Sequence, residues 1–447
     1  MIYVRKKEIY VMHFKKILIL SAVTFLSFTI SAQEKAVYTL TADEAVILAT
    51  DNNVNLKRQK LSLDLLKKKN ATSWNSVSPS VSGTGTYSHS FLETKPANPV
   101  TDTLSGTVSV SMALSPALFT SIKTAALNYE NGKSSYEDAV RSIELNVRKL
   151  YYSLIFAKEN ISLQERNLET AKQRYELNLD KYNKGQLSEL DMLSSMYSYD
   201  SAKPSLESSI ITYENNIATF KQILGLKQDE EIILTGSLDD FSKIGEISVD
   251  VIIEEIPSVK TLKRNLEIAK ANLMATRFTA WGPSVSLGYN YGYSSALAND
   301  EWSDFSNSTN SLSVNVRIPL DGYLPWSTGS VNIAAMKTSV KDLELQLENE
   351  KTTAELNIQN SVKKIKQAES QLTALEQNVQ LAQKTYDMTL NAYNHGSRDL
   401  LTLQSTADAL LSAKTSLQSQ LYTLASAILD LENTLGIPFG TLGKTEN

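Results

Sequence analysis

The side chains that most often carry nucleophilic, acid–base or metal chemistry are scarce in this sequence. Its 447 residues include no Cys and three His, His13, His89 and His395. Without Cys there is no disulfide, no thiolate metal site and no lipoprotein anchor to expect. Three scattered histidines give poor material for a metal cluster or a Ser-His-Asp triad. The pair Gly83 and Gly85 could open a phosphate loop, but the pattern after it is not helical. The sequence therefore predicts no enzyme, no catalytic residue, no metal and no cofactor. What stands out by spacing is a pair of glycines, Gly185 and Gly396, each three positions after a tyrosine, Tyr182 or Tyr393.

Those two glycines belong to a stretch that the chain carries twice. At a constant offset of 211 positions, the separation of Gly185 and Gly396, the segment Tyr175 to Leu206 matches Tyr386 to Leu417 without a gap. Tyr182, Asn183, Leu190, Ala202 and Lys203 recur as Tyr393, Asn394, Leu401, Ala413 and Lys414. In each copy a long helical pattern enters Tyr-Asn-x-Gly and a second leaves it, closing at Leu224-Gly225 or Leu435-Gly436. This predicts helical hairpins with glycine at the tip, because glycine adopts the positive φ that ends a helix without steric cost. A duplication on this scale decides architecture before any single residue does.

Around the duplicated core the chain divides into a signal at 1–32, a first repeat at 33–226, a linker at 227–257, a second repeat at 258–437 and a tail at 438–447. The signal has Lys15 and Lys16, an apolar run from Ile17 to Ile30, and a small-residue cleavage site at Ser31 and Ala32, with Met12 as a second possible start. It carries five basic residues and one acidic, so its removal takes the formal charge from −5 to −9. Such a balance speaks against a nucleic-acid partner. After the signal no apolar run approaches the roughly 20 residues of a membrane-spanning helix. Entry into a membrane would have to be by strands.

Strand signals occur in both repeats. A helical pattern from Thr41 to Trp74, opened by a capping box of Thr41 and Glu44, gives way to a period of two in a hairpin at 77–114. Val81, Gly83, Gly85 and Tyr87 alternate with Ser82, Thr84, Thr86 and Ser88; after a loop with Pro96, Asn98 and Pro99, Val108, Val110 and Met112 alternate with Ser109 and Ser111. The second hairpin, at 284–320, repeats this with Leu287, Tyr289, Tyr291 and Tyr293, a loop holding Asp300, Glu301 and Asp304, then Leu312, Val314, Val316 and Ile318. Seven extra residues separate strand and helix in the second repeat, and they are expected between Asp321 and Ser330. Two very long helices follow the hairpins, starting near Ala117 and Val331. Apolar residues recur along them at spacings of four and three, from Ile143 through Val147, Leu150 and Leu154 and from Ala354 through Ile358 and Ile365. That 3.5 period is a coiled-coil seam, broken at Gln164 and Asn178 and, in the copy, at Ser361 and Thr389. The linker carries one β-prone piece, Ile232 to Leu234, and is expected to band the outside of the hairpins.

Strands that enter lipid must close, since each unpaired amide in hydrocarbon costs several kcal/mol. Four strands are too few for a barrel, so the chain must oligomerise, and three copies would give twelve strands above a tube of helices. The predicted fold class is an α+β membrane protein: a transmembrane β-barrel, four strands per chain, continuous with a long α-helical coiled-coil barrel. An exported coiled-coil scaffold is the alternative, but it has no need of alternating strands.

The combination of duplicated helices, strand hairpins, Tyr-x-x-Gly tips and Leu-Gly ends resembles the TolC-like outer membrane factor family over essentially the whole mature chain. The resemblance implies a homotrimer in outer membrane lipid of a Gram-negative bacterium, with a periplasmic tunnel. It would serve as the exit duct of a tripartite efflux pump or type I secretion system, with a periplasmic adaptor and an inner-membrane transporter as partners. It also implies a gate of Tyr393, Arg398 and Asp191, in which Tyr393 bonds Asp191 between adjacent hairpins, and an adaptor-docking tip of Gly185, Gln186, Leu187, Gly396 and Ser397. Two features depart from the family pattern. Leu190 stands where a threonine partner for Arg398 is expected, and Thr402 and Ser405 replace a ring of entrance aspartates, for which Asp399 or Asp408 could substitute.

Overall fold

The structure, a computed structural model, describes residues 37–91, 100–238, 241, 252–298, 301–303 and 307–442. The export signal, the loop residues Pro96, Asn98 and Pro99, the loop acids Asp300 and Asp304, the tail beyond Leu442 and most of the linker between 239 and 251 lie outside the described residues.

In chain order the first half contains β1 (Val37–Leu40), α1 (Ala42–Asn52), α2 (Val54–Ala71), β2 (Ser80–His89), β3 (Val100–Leu114), α3 (Pro116–Asn183), α4 (Glu189–Leu224) and β4 (Glu231–Leu234). The second contains α5 (Pro257–Trp281), β5 (Ser284–Ala298), the two-residue β6 (Glu301–Trp302), β7 (Asn307–Arg317), α6 (Thr328–Asn394) and α7 (Leu400–Leu435). The helix expected over Thr41 to Trp74 is two helices, because Asn53 interrupts it. The Asn53 Oδ1 accepts from the amides of Asn55 and Leu56 at 2.9 and 3.3 Å, capping α2, while its Nδ2 donates to the Ile223 carbonyl at 2.9 Å. That side chain thus starts one helix and docks it on the end of another.

The four long strands form one antiparallel sheet in the order β2-β3-β5-β7. The strands are shorter than the expected hairpins. Residues Ser73–Val77 and Asp321–Tyr323 turn as 3₁₀ segments, so pairing starts at Ser80 and ends at Arg317. Register puts Val81, Val110, Tyr289 and Leu312 on one face, and Ser80, Ser111, Gly288 and Ser313 on the other. Both faces are largely open in the single chain, and Val81, Leu312, Val314 and Val316 are exposed. The outer edges of β2 and β7 have no strand partner among the described residues.

Helices α3 and α6 are 68 and 67 residues long, about 100 Å each at ~1.5 Å per residue. Burial follows the 3.5 period: Val147, Leu154, Ala171 and Asn178 on α3, and Ala354, Ile358, Ile365, Ala368 and Leu372 on α6. Near mid-length the two halves share one core, in which Tyr151, Leu154, Phe220, Leu224, Ile365 and Leu424 are buried. The linker piece appears there as β4, paired in parallel with β1. The Tyr151 hydroxyl reaches the carbonyls of Leu40 and Thr235 beside that pair. At the end of α7 the buried Glu432 carboxylate accepts the amides of Gly440 and Leu442 at 2.9 and 2.8 Å, and Arg141 from α3 donates to the Glu432 carbonyl at 2.6 Å. The end of the second half is thereby tied to the first.

Candidate gate and docking tip

Each long helix ends in the same way. Gly185 and Gly396 both have φ of 72°. The following amide turns back to the helix, Gln186 to the Lys181 carbonyl at 2.8 Å and Ser397 to the Ala392 carbonyl at 2.9 Å. This is the Schellman geometry that a glycine in the left-handed region permits. The outgoing helices are capped at equivalent positions, α4 by Ser188, whose Oγ accepts from the Asp191 amide at 3.1 Å, and α7 by Asp399, whose Oδ1 accepts from the Thr402 amide at 2.7 Å.

Gly185, Gln186, Gly396, Ser397 and Arg398 are exposed at the tips and Leu187 is half-buried. The duplication also exposes a leucine at the same place on each hairpin, Leu190 at 77% and Leu401 at 71%. No packing within the chain accounts for either.

The expected gate residues lie at these tips, but their bonding within the chain differs from the expectation. Tyr393 donates to Asn178 Oδ1 at 2.9 Å. Asp191 instead accepts the Ser188 hydroxyl at 2.6 Å, within its own helix cap. It remains close enough to Tyr393 to act on it: burial pushes the Tyr393 phenol up, the bond to Asn178 opposes this, and the Asp191 charge reinforces it. Arg398 donates no hydrogen bond among the described residues. Asp399, a possible entrance acid, is engaged as the α7 cap, and hydrogen bonds from Thr402 hold its carboxyl below the usual range. Asp408 is exposed further along α7.

Asn178 is the residue that sequence reasoning did not assign. It is fully buried, sits on the α3 seam, and joins the first hairpin to the second through Tyr393. Its Nδ2 has no hydrogen-bond partner among the described residues. The signal was present, since Asn at a coiled-coil core position is the polar residue that fixes register at a cost in stability. A second link between the hairpins runs between Ser194 on α4 and Gln404 on α7, at 3.4 Å in each direction. Among the described residues there is no group of acidic or histidine side chains able to hold a metal.

This geometry of paired hairpins under an open sheet recurs in known proteins. The family model described as outer membrane efflux protein matches residues 46–225 and 249–437. The chain is 22% identical over 434 residues to the outer membrane protein TolC of Vibrio cholerae, covering 92% of this chain and 94% of that protein. Its structure is similar to that of the Campylobacter jejuni CmeC outer membrane channel, with a TM-score of 0.74 and 18% identity over 88% of this chain and 85% of that one. It is also similar to the open state of the Neisseria gonorrhoeae MtrE outer membrane channel, with a TM-score of 0.71 and 17% identity over 90% and 91% of the two chains.

Proposed function

Because the chain belongs to the outer membrane efflux protein family, whose members are channels rather than enzymes, we propose that it is the exit duct of a tripartite efflux pump or a type I secretion system. In this reading three copies close their sheets into one barrel in the Gram-negative outer membrane, and their helices form a tunnel through the periplasm. A periplasmic adaptor docks on the tips at Gly185, Gln186, Leu187, Gly396 and Ser397, and an inner-membrane transporter delivers the cargo.

The observation that carries this is the sheet, whose two outer edges have no strand partner among the described residues, standing on helices about 100 Å long. In lipid those edges must be paired by other copies. The apolar face of the sheet then meets acyl chains and the Ser, Thr and Asn face lines the pore. A strand of 10 residues such as β2 tilted as barrel strands are crosses about 25 Å, the height of an apolar barrel band.

At the tips, the contacts of Tyr393 with Asn178 and of Ser194 with Gln404 support a closed state held partly within each chain, with Asp191 and Arg398 available to neighbouring chains. Planar-bilayer recording of detergent-purified protein, with heat-modified gel mobility and outer-membrane fractionation, tests the reading. A trimer with ion conductance is expected; a monomer soluble without detergent would overturn it.

A further inference from the structure

The two halves leave their strands differently. After β3 a single residue, Ser115, precedes α3, whereas ten residues, 318–327, separate β7 from α6. The extra residues add little to the core: Ile318, Leu320, Tyr323, Leu324 and Trp326 are all exposed, Trp326 at 77% and Leu320 at 74%.

The segment is nevertheless built to one shape. The amides of Leu324 and Ser327 bond back to the carbonyls of Asp321 and Leu324 at 2.9 and 3.0 Å. Trp281, at the end of α5, donates its indole N–H to the Gly322 carbonyl at 2.9 Å and stacks on Tyr323. A Cβ on Gly322 would fall 1.9 Å from the Ala280 carbonyl oxygen, so only glycine lets the turn seat there. An ordered turn that presents large apolar side chains outward has a partner outside the chain.

Two observations select lipid as that partner. Ile318 and Leu320 extend the alternation of Leu312, Val314 and Val316, the face that reaches acyl chains in the proposed barrel. In addition, aromatic residues stand at the helix-side end of every long strand: Trp74 before β2, Phe119 after β3, Trp281 before β5, and Tyr323 and Trp326 after β7. The Trp and Tyr rings among them, each with an apolar body and a polar edge, are of the kind that settles at the boundary between headgroups and acyl chains.

We propose that residues 318–326 form an interfacial platform that seats Leu320, Tyr323 and Trp326 in the headgroup boundary of the periplasmic leaflet and fixes the depth of the barrel. The proposal rests on the reading that the sheet enters the outer membrane.

The test compares the tryptophan emission of the intact chain with that of Trp326→Phe and, for the opposite end of the sheet, Trp302→Phe. Each is reconstituted in phosphatidylcholine vesicles brominated either near the carbonyl or near the chain end. Each variant alters one exposed ring, and a heat-resistant oligomer serves as the check on folding. The carbonyl-proximal label should quench the Trp326 share of the emission by half or more, and the chain-end label clearly less. If Trp302 is quenched and Trp326 is not, the platform docks on protein and the proposal falls while the membrane reading stands. If neither ring is quenched and the protein fails to associate with vesicles, the membrane reading fails and the platform with it.

Discussion

Tyr393 on α6 donates a 2.9 Å hydrogen bond to the fully buried Asn178 on α3, so the last turns of the two hairpins are joined inside one chain. Both partners are neutral, which places the bond at about 0.5 to 1.5 kcal/mol. In a trimer three such bonds would oppose opening by roughly 3 kcal/mol, on the order of a hundred-fold in the open fraction. Tyr393→Phe and Asn178→Ala should each raise single-channel conductance or open probability, and the double variant should do little more than either alone. Additive effects would show that the two side chains act through separate contacts.

Arg398 contributes less in this arrangement. It is exposed, its expected acceptor position is Leu190, and a solvated ion pair contributes only ~0 to 1 kcal/mol. Arg398→Ser should therefore open the channel less than Tyr393→Phe does. The reverse order in planar bilayers would assign closure to contacts between chains made by Arg398.

Gly396 has φ of 72° with open space around it. A side chain there clashes with nothing, so the penalty is backbone strain, about 1 to 2 kcal/mol for an ordinary residue and more for a β-branched one. Gly396→Val should leave trimer assembly intact but reshape the tip and abolish export. Unchanged export in cells that assemble the variant trimer would remove Gly396 from the docking surface.

The Asp399 cap makes the tip sensitive to acid. Hydrogen bonds from the Thr402 side chain and amide lower its folded pKa. Its contribution is therefore complete above the ordinary aspartate range and is lost as pH falls through the depressed folded value. Hydrogen exchange of the first amides of α7 should accelerate, relative to intrinsic rates, only at pH below that range. Asp399→Asn keeps a capping oxygen and should flatten this pH dependence; a variant with the same acid response would locate it elsewhere.

The long elements were legible because their signals repeat. A 3.5 period carried over many turns and a duplicated Tyr-Asn-x-Gly specify a pair of helical hairpins almost regardless of context. The alternation of Val81 to Tyr87 likewise specified a strand and its faces. The partners of single side chains were less accessible, because they depend on which helices face each other. Asn178 was visible as a break in the seam, yet nothing in the sequence connects it to a tyrosine 215 positions away. The sequence Ser188-Glu189-Leu190-Asp191 already had the spacing of a reciprocal helix cap, and that local demand engages one carboxylate oxygen of Asp191 within the chain. The pairing of β1 with β4 involves four residues on each side, too few to leave a periodic signal. α4 runs through Pro204, as the pattern closing at Leu224 implies, although proline removes one helical hydrogen bond.

The free edges of the sheet give the most direct test of assembly. In β2 and β7 the outward amides and carbonyls have no strand partner among the described residues, and in lipid each unsatisfied pair would cost several kcal/mol. If copies close the barrel, β2 of one chain pairs with β7 of the next, and no other arrangement satisfies both edges at once. The chain has no Cys, so introduced cysteines report without background. Thr84→Cys on β2 should be combined in turn with Thr309→Cys, Ser311→Cys and Ser313→Cys on β7, all on the hydroxylic face. Mild oxidation in membranes should give covalent dimers and trimers and no larger species, with one β7 position strongest because strand register is discrete. A ladder that continues past three would indicate a different ring size. If every pair stays monomeric while the protein still conducts, the edges are not joined to each other and the barrel must close by another route.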